Sequence, residues 1–225
     1  MAILCRDHKL LFIMTPRTAC TAIGELLLER LGGEYVPRED LQGERGIVVS
    51  RKHATLHQLL AYGWLSEEER RRLLVFTCVR NPFDSLVSLW VKKAVTYQPL
   101  LNDPTAFIHQ VPGYVADMEW CRSHSFDEWI VKRYAPSVLD RLLGRNRRPM
   151  FHRFTDGVDV VMRFERLQSD FDGVLARVEL PAIRIPTINE TPERESDYRR
   201  YYTPRSRRIV EYLCRDDCEQ YGYHF

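Results

Sequence analysis

The chain has 225 residues, 44% hydrophobic and 28% charged, with 33 basic against 31 acidic side chains and a formal net charge of +2. That length suits one domain with a sizeable core, and the composition is ordinary for globular proteins, which excludes disordered and fibrous classes. The balanced charge gives no ground for general nucleic-acid binding: the basic clusters Arg70 to Arg72, Arg145 to Arg148 and Arg205 to Arg208 read as solvated faces offset by acids elsewhere.

No apolar run reaches the roughly 18 residues of a membrane span. Charges at Arg6, Asp7 and Lys9 interrupt the N-terminus before a signal-peptide core can form, so a soluble, cytoplasmic protein is expected. Six cysteines, at 5, 20, 78, 121, 214 and 218, form no CxxC pair and fit reduced thiols rather than a disulfide framework or a zinc site. Cys214 and Cys218, one helical turn apart, read as buried neighbours on one helix face.

Leu10 to Met14 is an apolar run followed by Thr15-Pro16-Arg17-Thr18-Ala19-Cys20-Thr21-Ala22, and then by helical spacing with Ile23, Leu26, Leu27 and Leu31 on one face. Gly32-Gly33 stops that helix. A strand, a short loop and a helix N-terminus make a ready anion site, because the first helical turn has unpaired N–H groups at the positive end of the macrodipole. Arg17 adds a full charge, and Thr18 and Thr21 add hydroxyl donors. Residues 15 to 22 contain no glycine, so a Walker-type, magnesium-dependent nucleotide loop is not expected.

A short strand is expected at Glu34-Tyr35-Val36 and a loop over residues 38 to 46. The triplet Ile47-Val48-Val49 leads through a polar turn into a helix with Leu56, Leu59 and Leu60 on its apolar face, which places His53 just before the helix start. Glu67 to Arg72 form a charged helical piece. Leu73 to Val79 have the length and apolar character of a buried parallel strand. Beyond Arg80, Asn81 is a good N-cap, Pro82 a good first helical residue, and Asp84 complements the helix start. Ser88 lies two turns along that helix, on the face of its start. Ser125 can cap a helix opening at Phe126, Val158 to Phe164 read as a strand, and Glu165 to Phe171 as a helix start.

Together the two strand-loop-helix units resemble the sulfotransferases that use 3′-phosphoadenosine 5′-phosphosulfate (PAPS), of the bacterial or carbohydrate type. Pro16-Arg17-Thr18-Ala19-Cys20-Thr21 is similar to their 5′-phosphosulfate loop, with Arg17 where the family has lysine. Arg80, Pro82 and Ser88 resemble their 3′-phosphate motif in residue type and spacing. The run Arg163-Phe164-Glu165-x-Leu167-x-x-Asp170-Phe171 and the C-terminal Asn189, Tyr198, Tyr201, Tyr202, Asp217, Tyr221, Gly222, Tyr223 and Phe225 resemble the family too, although most of those aromatics read as core packing.

The resemblance implies an α/β, P-loop-NTPase-like three-layer fold with a central, mainly parallel sheet flanked by helices. It implies a single domain over residues 1–225 with a helical acceptor-site region at about 91–149, where Arg145 to Arg148 can contact an anionic acceptor. It implies PAPS as donor and PAP as product, no metal requirement, and a hydroxyl-bearing carbohydrate or small-molecule acceptor, with no nucleic-acid partner. His53 becomes the proposed base and Arg17 the cation that neutralises charge at the transferring group. Backbone N–H groups of Thr18, Ala19, Cys20, Thr21 and Ala22 hold the 5′-phosphate, Arg80 and Ser88 the 3′-phosphate, and Arg194, Tyr198 and Arg199 close over the nucleotide. Two alternatives stay open: a non-catalytic nucleotide-binding protein, suggested by Arg17 in place of lysine, and a P-loop kinase, which needs a magnesium-binding acid where Leu73 to Val79 end in Arg80.

Overall fold

In a computed structural model, residues 2–44, 46–143, 149–188 and 194–225 are described. Chain order gives β1 (Ala2–Cys5), β2 (Leu10–Ile13), α1 (Cys20–Arg30), β3 (Glu34–Val36), β4 (Leu41–Gly43), β5 (Gly46–Val49), α2 (Leu56–Ala61), α3 (Glu67–Arg72) and β6 (Leu74–Val79). There follow α4 (Pro82–Val91), α5 (Tyr114–Ser123), α6 (Phe126–Tyr134), α7 (Val138–Leu142), α8 (His152–Thr155), β7 (Val160–Arg163), α9 (Leu167–Ala176), α10 (Pro204–Leu213) and α11 (Arg215–Tyr221). The chain divides into two compact units, Met1–Arg80 with Phe151–Glu190, and Asn81–Met150 with Thr191–Phe225.

The first unit is built on a five-stranded sheet in the order β3-β1-β2-β6-β7. β2, β6 and β7 are mutually parallel neighbours, whereas β1 pairs antiparallel with both β2 and β3. Four strands therefore run one way and β1 the other, so the expected mainly parallel sheet is present, with one reversed strand. Side chains alternate across the pleat. Ile3, Leu10, Phe12, Phe76, Cys78 and Met162 face one core, closed by Ile23, Leu26 and Leu27 of α1 and Phe171, Val174 and Leu175 of α9. Leu4, Leu11, Ile13 and Val75 face the other, closed by Leu56 and Leu59 of α2 and Phe154 of α8. Helices thus cover both faces of the sheet, and β6, buried on both sides, reads as the continuous apolar run such a strand needs.

Two elements differ from expectation. β1 lies where only an interrupted N-terminal segment was expected; its four residues are all buried, and the charges that follow form the β1–β2 turn. Residues 38 to 46, expected as a loop, include β4, which pairs antiparallel with β5. Strands of three or four residues carry too little apolar pattern to be visible in sequence.

The second unit is helical, with a core of Phe83, Leu86 and Val87 from α4, Trp129 and Ile130 from α6, and Ile209, Val210 and Leu213 from α10. The C-terminal aromatics pack into it, as expected: Phe225 lies 5.1 Å from Phe83 and 5.3 Å from Tyr202, whose hydroxyl donates to the Phe83 carbonyl at 3.0 Å. α4 continues into a π-helical turn at Lys92–Thr96 that carries two buried lysines. Lys93 pairs with Asp117 of α5, which also accepts from Trp129 Nε1 at 3.1 Å. Described residues of the 91–149 region are mainly helical; Arg145 to Arg148 and Asn189 lie outside the described residues. No helix among the described residues is long and apolar enough to cross a membrane.

Candidate active site

The three parallel strands β2, β6 and β7 deliver their C-terminal ends, and the residues that follow them, to one edge of the sheet. Ligands of open α/β sheets bind at that edge. Beyond β2 the chain turns through Met14 to Ala19 and enters α1 at Cys20, three residues before the apolar periodicity begins. The turn adopts left-handed backbone at Arg17 (φ 67°) and at Ala19 (φ 57°), conformations usually taken by glycine. Ala19 is the N-cap of α1 and offers no side-chain cap, and the first turn holds no acidic residue. The N-terminal N–H groups of an 11-residue helix thus lack the usual capping oxygen, and Arg17 lies two residues ahead of the N-cap.

The hydroxyl of Thr18 is committed within the loop: it donates to the Thr15 carbonyl at 2.8 Å and is fully buried. The hydroxyl expected from sequence as a donor to an anion is thus turned into the loop. Thr21 is partly exposed in the first helical turn. Cys20 is buried, and burial pushes its thiol above the ordinary range.

Arg80 directly follows β6 and is 9% exposed. Its Nη1 donates to the Arg17 carbonyl at 3.1 Å, and its guanidinium lies 4.1 Å from the ring centre of Phe164, the first residue beyond β7. All three sequence motifs of this unit thus meet through one side chain. Thr15 and Thr77 add a buried contact, their hydroxyl oxygens 2.8 Å apart. Nothing in the sequence singled out Thr77, whereas Phe164 belonged to a noted motif without a role.

His53 ends a short 3₁₀ turn at Arg51–His53, ahead of α2, whose N-cap Thr55 forms a capping box with Gln58. Its Nδ1 lies 2.9 Å from the Met14 carbonyl. A carbonyl only accepts, so Nδ1 carries the proton and Nε2 keeps its lone pair. Burial lowers the imidazole pKa from 6.5 to about 4, the Met14 hydrogen bond opposing the shift. The near-neutral imidazole expected from sequence is therefore corrected: this ring is held neutral, in one tautomer, across the physiological range.

Ser88, Arg194 and Tyr198 belong to the second unit. Ser88 is buried in α4. Arg194 pairs with Asp84 in the first turn of that helix. Tyr198 accepts from Asn81 Nδ2 at 3.3 Å, with the Arg199 guanidinium 4.7 Å from the centre of its ring.

An α/β unit with an arginine loop and an uncapped helix start at the C-terminal edge of its sheet has open N–H groups of the kind that can receive an anion. The comparison with protein families goes further, since the model of the sulfotransferase family matches residues 1–224. The chain belongs to the sulfotransferase family and is a transferase of sulfuryl groups. Comparison with curated proteins and with solved structures returned no match.

Proposed function

We propose that this sulfotransferase takes its sulfuryl group from PAPS and passes it in line to a hydroxyl of a carbohydrate or small-molecule acceptor. The observation that carries the reading is the junction of Arg17, the uncapped start of α1 and Arg80 at one sheet edge, a cationic cradle with no acid in its helical turn. The residues fit the donor's chemistry: N–H groups of Thr18 to Ala22 for the 5′-phosphate, Arg17 for the bridging oxygen and transferring group, and Arg80 for the 3′-phosphate. Ser88, Arg194 and Tyr198 enter on the family pattern alone.

PAPS supplies an activated sulfuryl group. His53 Nε2 takes the acceptor's hydroxyl proton as the acceptor oxygen bonds to sulfur; the bond from sulfur to the bridging oxygen breaks, and its electron pair leaves on PAP. Arg17 neutralises the charge that grows on that oxygen. The Met14 carbonyl keeps His53 in the tautomer that can accept a proton, and orients the ring.

Calorimetric titration with PAP, ADP and ATP, each with and without magnesium, tests the donor. Preference for PAP that is independent of magnesium supports the reading, and an acceptor screen with labelled PAPS follows. Magnesium-dependent ATP binding without PAP binding overturns it in favour of a kinase, and PAPS binding with no sulfation of any acceptor makes the chain a non-catalytic binder.

A further inference from the structure

We infer that Thr77 and Arg80, at the end of β6, are positioning residues that set the 5′-phosphate cradle by holding residues 15–19 in shape. The inference rests on the nucleotide reading above and adds a role to Arg80 distinct from any contact with a 3′-phosphate. Two residues of that loop are left-handed although neither is glycine. Side chains with a Cβ disfavour such backbone, which persists only where its surroundings over-determine it.

Two braces do so, one from β6 and one from the residue that follows it. Thr77 Oγ1 donates to the Ile13 carbonyl at 2.7 Å, and Thr15 Oγ1 lies 2.8 Å from Thr77 Oγ1. A hydroxyl has one proton, so Thr15 is the donor to Thr77, and the relay Thr15 to Thr77 to Ile13 ties the start of the loop to both strands. All of it is buried, with Thr15 1% and Thr77 0% exposed, where an unmade hydrogen bond is costly. Thr18 then folds the loop back on itself through the Thr15 carbonyl. The second brace is Arg80 on the Arg17 carbonyl, with the Phe164 ring beneath the guanidinium. It fixes the peptide whose orientation aims the next N–H groups at the anion.

A ligand without a 3′-phosphate separates the two roles of Arg80. The test uses the full chain and its Thr77→Val, Thr77→Ser and Arg80→Ala variants, titrated with PAP and with adenosine 5′-monophosphate, and hydrogen exchange of the ligand-free proteins. The expected result is faster exchange confined to peptides covering residues 14–22 in Thr77→Val and Arg80→Ala. Affinity for the 5′-monophosphate falls about 3- to 10-fold in both, the weight of one hydrogen bond. Thr77→Ser, which keeps the hydroxyl, restores both readouts. Monophosphate affinity unchanged in both variants, exchange raised throughout the sheet, or a serine variant no better than valine overturns the inference. Wild-type protein that binds PAP while the variants keep monophosphate affinity removes the positioning role alone; wild-type protein that binds neither nucleotide removes the nucleotide reading and this inference with it.

Discussion

Arg80 Nη1 donates to the carbonyl of Arg17 at 3.1 Å, so the cation that follows one core strand fixes the turn that follows its neighbour. The Arg17 side chain, two residues ahead of the α1 N-cap, takes the place where the family loop carries lysine. A lysine at this position keeps the charge and loses the planar fork. We expect Arg17→Lys to keep turnover within about tenfold of wild type, and Arg17→Ala to lower kcat by about 100-fold or more, the effect of removing one group that stabilises developing charge. Steady-state rates with saturating PAPS decide the point; an alanine variant near wild-type rate would remove Arg17 from the chemistry.

Ala19 caps α1 in left-handed backbone. Ala19→Gly relieves that strain but enlarges the entropy of the unfolded chain, so it should leave thermal stability within about 1 kcal/mol of wild type. Ala19→Val adds a β-branched side chain where φ is positive and should cost about 1 to 3 kcal/mol. Urea unfolding of the pair measures the difference, and equal stability of glycine and valine variants would contradict the backbone argument.

His53→Ala should abolish turnover and leave PAP affinity nearly intact. In the proposed role as base the ring acts in its neutral form, and burial lowers its pKa to about 4, so the acid limb of kcat/KM should fall near pH 4 rather than near 6.5. A bound anion favours the imidazolium, so the limb in kcat should lie at higher pH than that in kcat/KM. Stability follows the same shift. The unfolded chain takes up the proton first as pH falls through 6.5, so the native state loses stability from there down to about pH 4, and His53→Gln should flatten that slope. A kcat/KM profile with its acid limb at 6.5 would show that the ring is not desolvated as described.

In the helical unit, Asp117 accepts from Trp129 and pairs with Lys93, both carboxylate contacts lying in partly or fully buried surroundings. Removing one member strands the other. Asp117→Ala should cost about 3 to 5 kcal/mol, while a Lys93→Met, Asp117→Leu double variant should recover much of the loss. Denaturant titration of the single and double variants reads the coupling; a single variant costing under about 1 kcal/mol would place the pair among ordinary surface bridges.

Much of this architecture was legible in local pattern. Glu67 to Arg72, the apolar run before Arg80, and the sequence Asn81-Pro82-x-Asp84 each state their own element, and α3, β6 and α4 follow them nearly to the residue. The Ser125 cap was equally readable, with its capping box to Glu128. Arg17, His53 and Arg80 were legible as site candidates by their places at strand and helix ends. What connects them was not. Thr15 meets Thr77, and Arg80 meets Arg17, across gaps of 62 and 63 residues that only the parallel register of β2 and β6 closes. The lowered pKa of His53 was likewise out of reach, because it comes from burial by residues distant in sequence. α1 begins before its apolar stripe because Ala19, which no propensity rule selects as a cap, takes that position.

Cys20 sits in the first turn of α1, 6% exposed, with a thiol that burial keeps protonated. Alkylating reagents attack thiolates, so they reach this sulfur only in the instants when the turn around it lifts. The chain therefore carries its own stopwatch for this turn: the labelling rate at Cys20 reports how often the start of α1 opens, and a nucleotide bound as proposed should slow it.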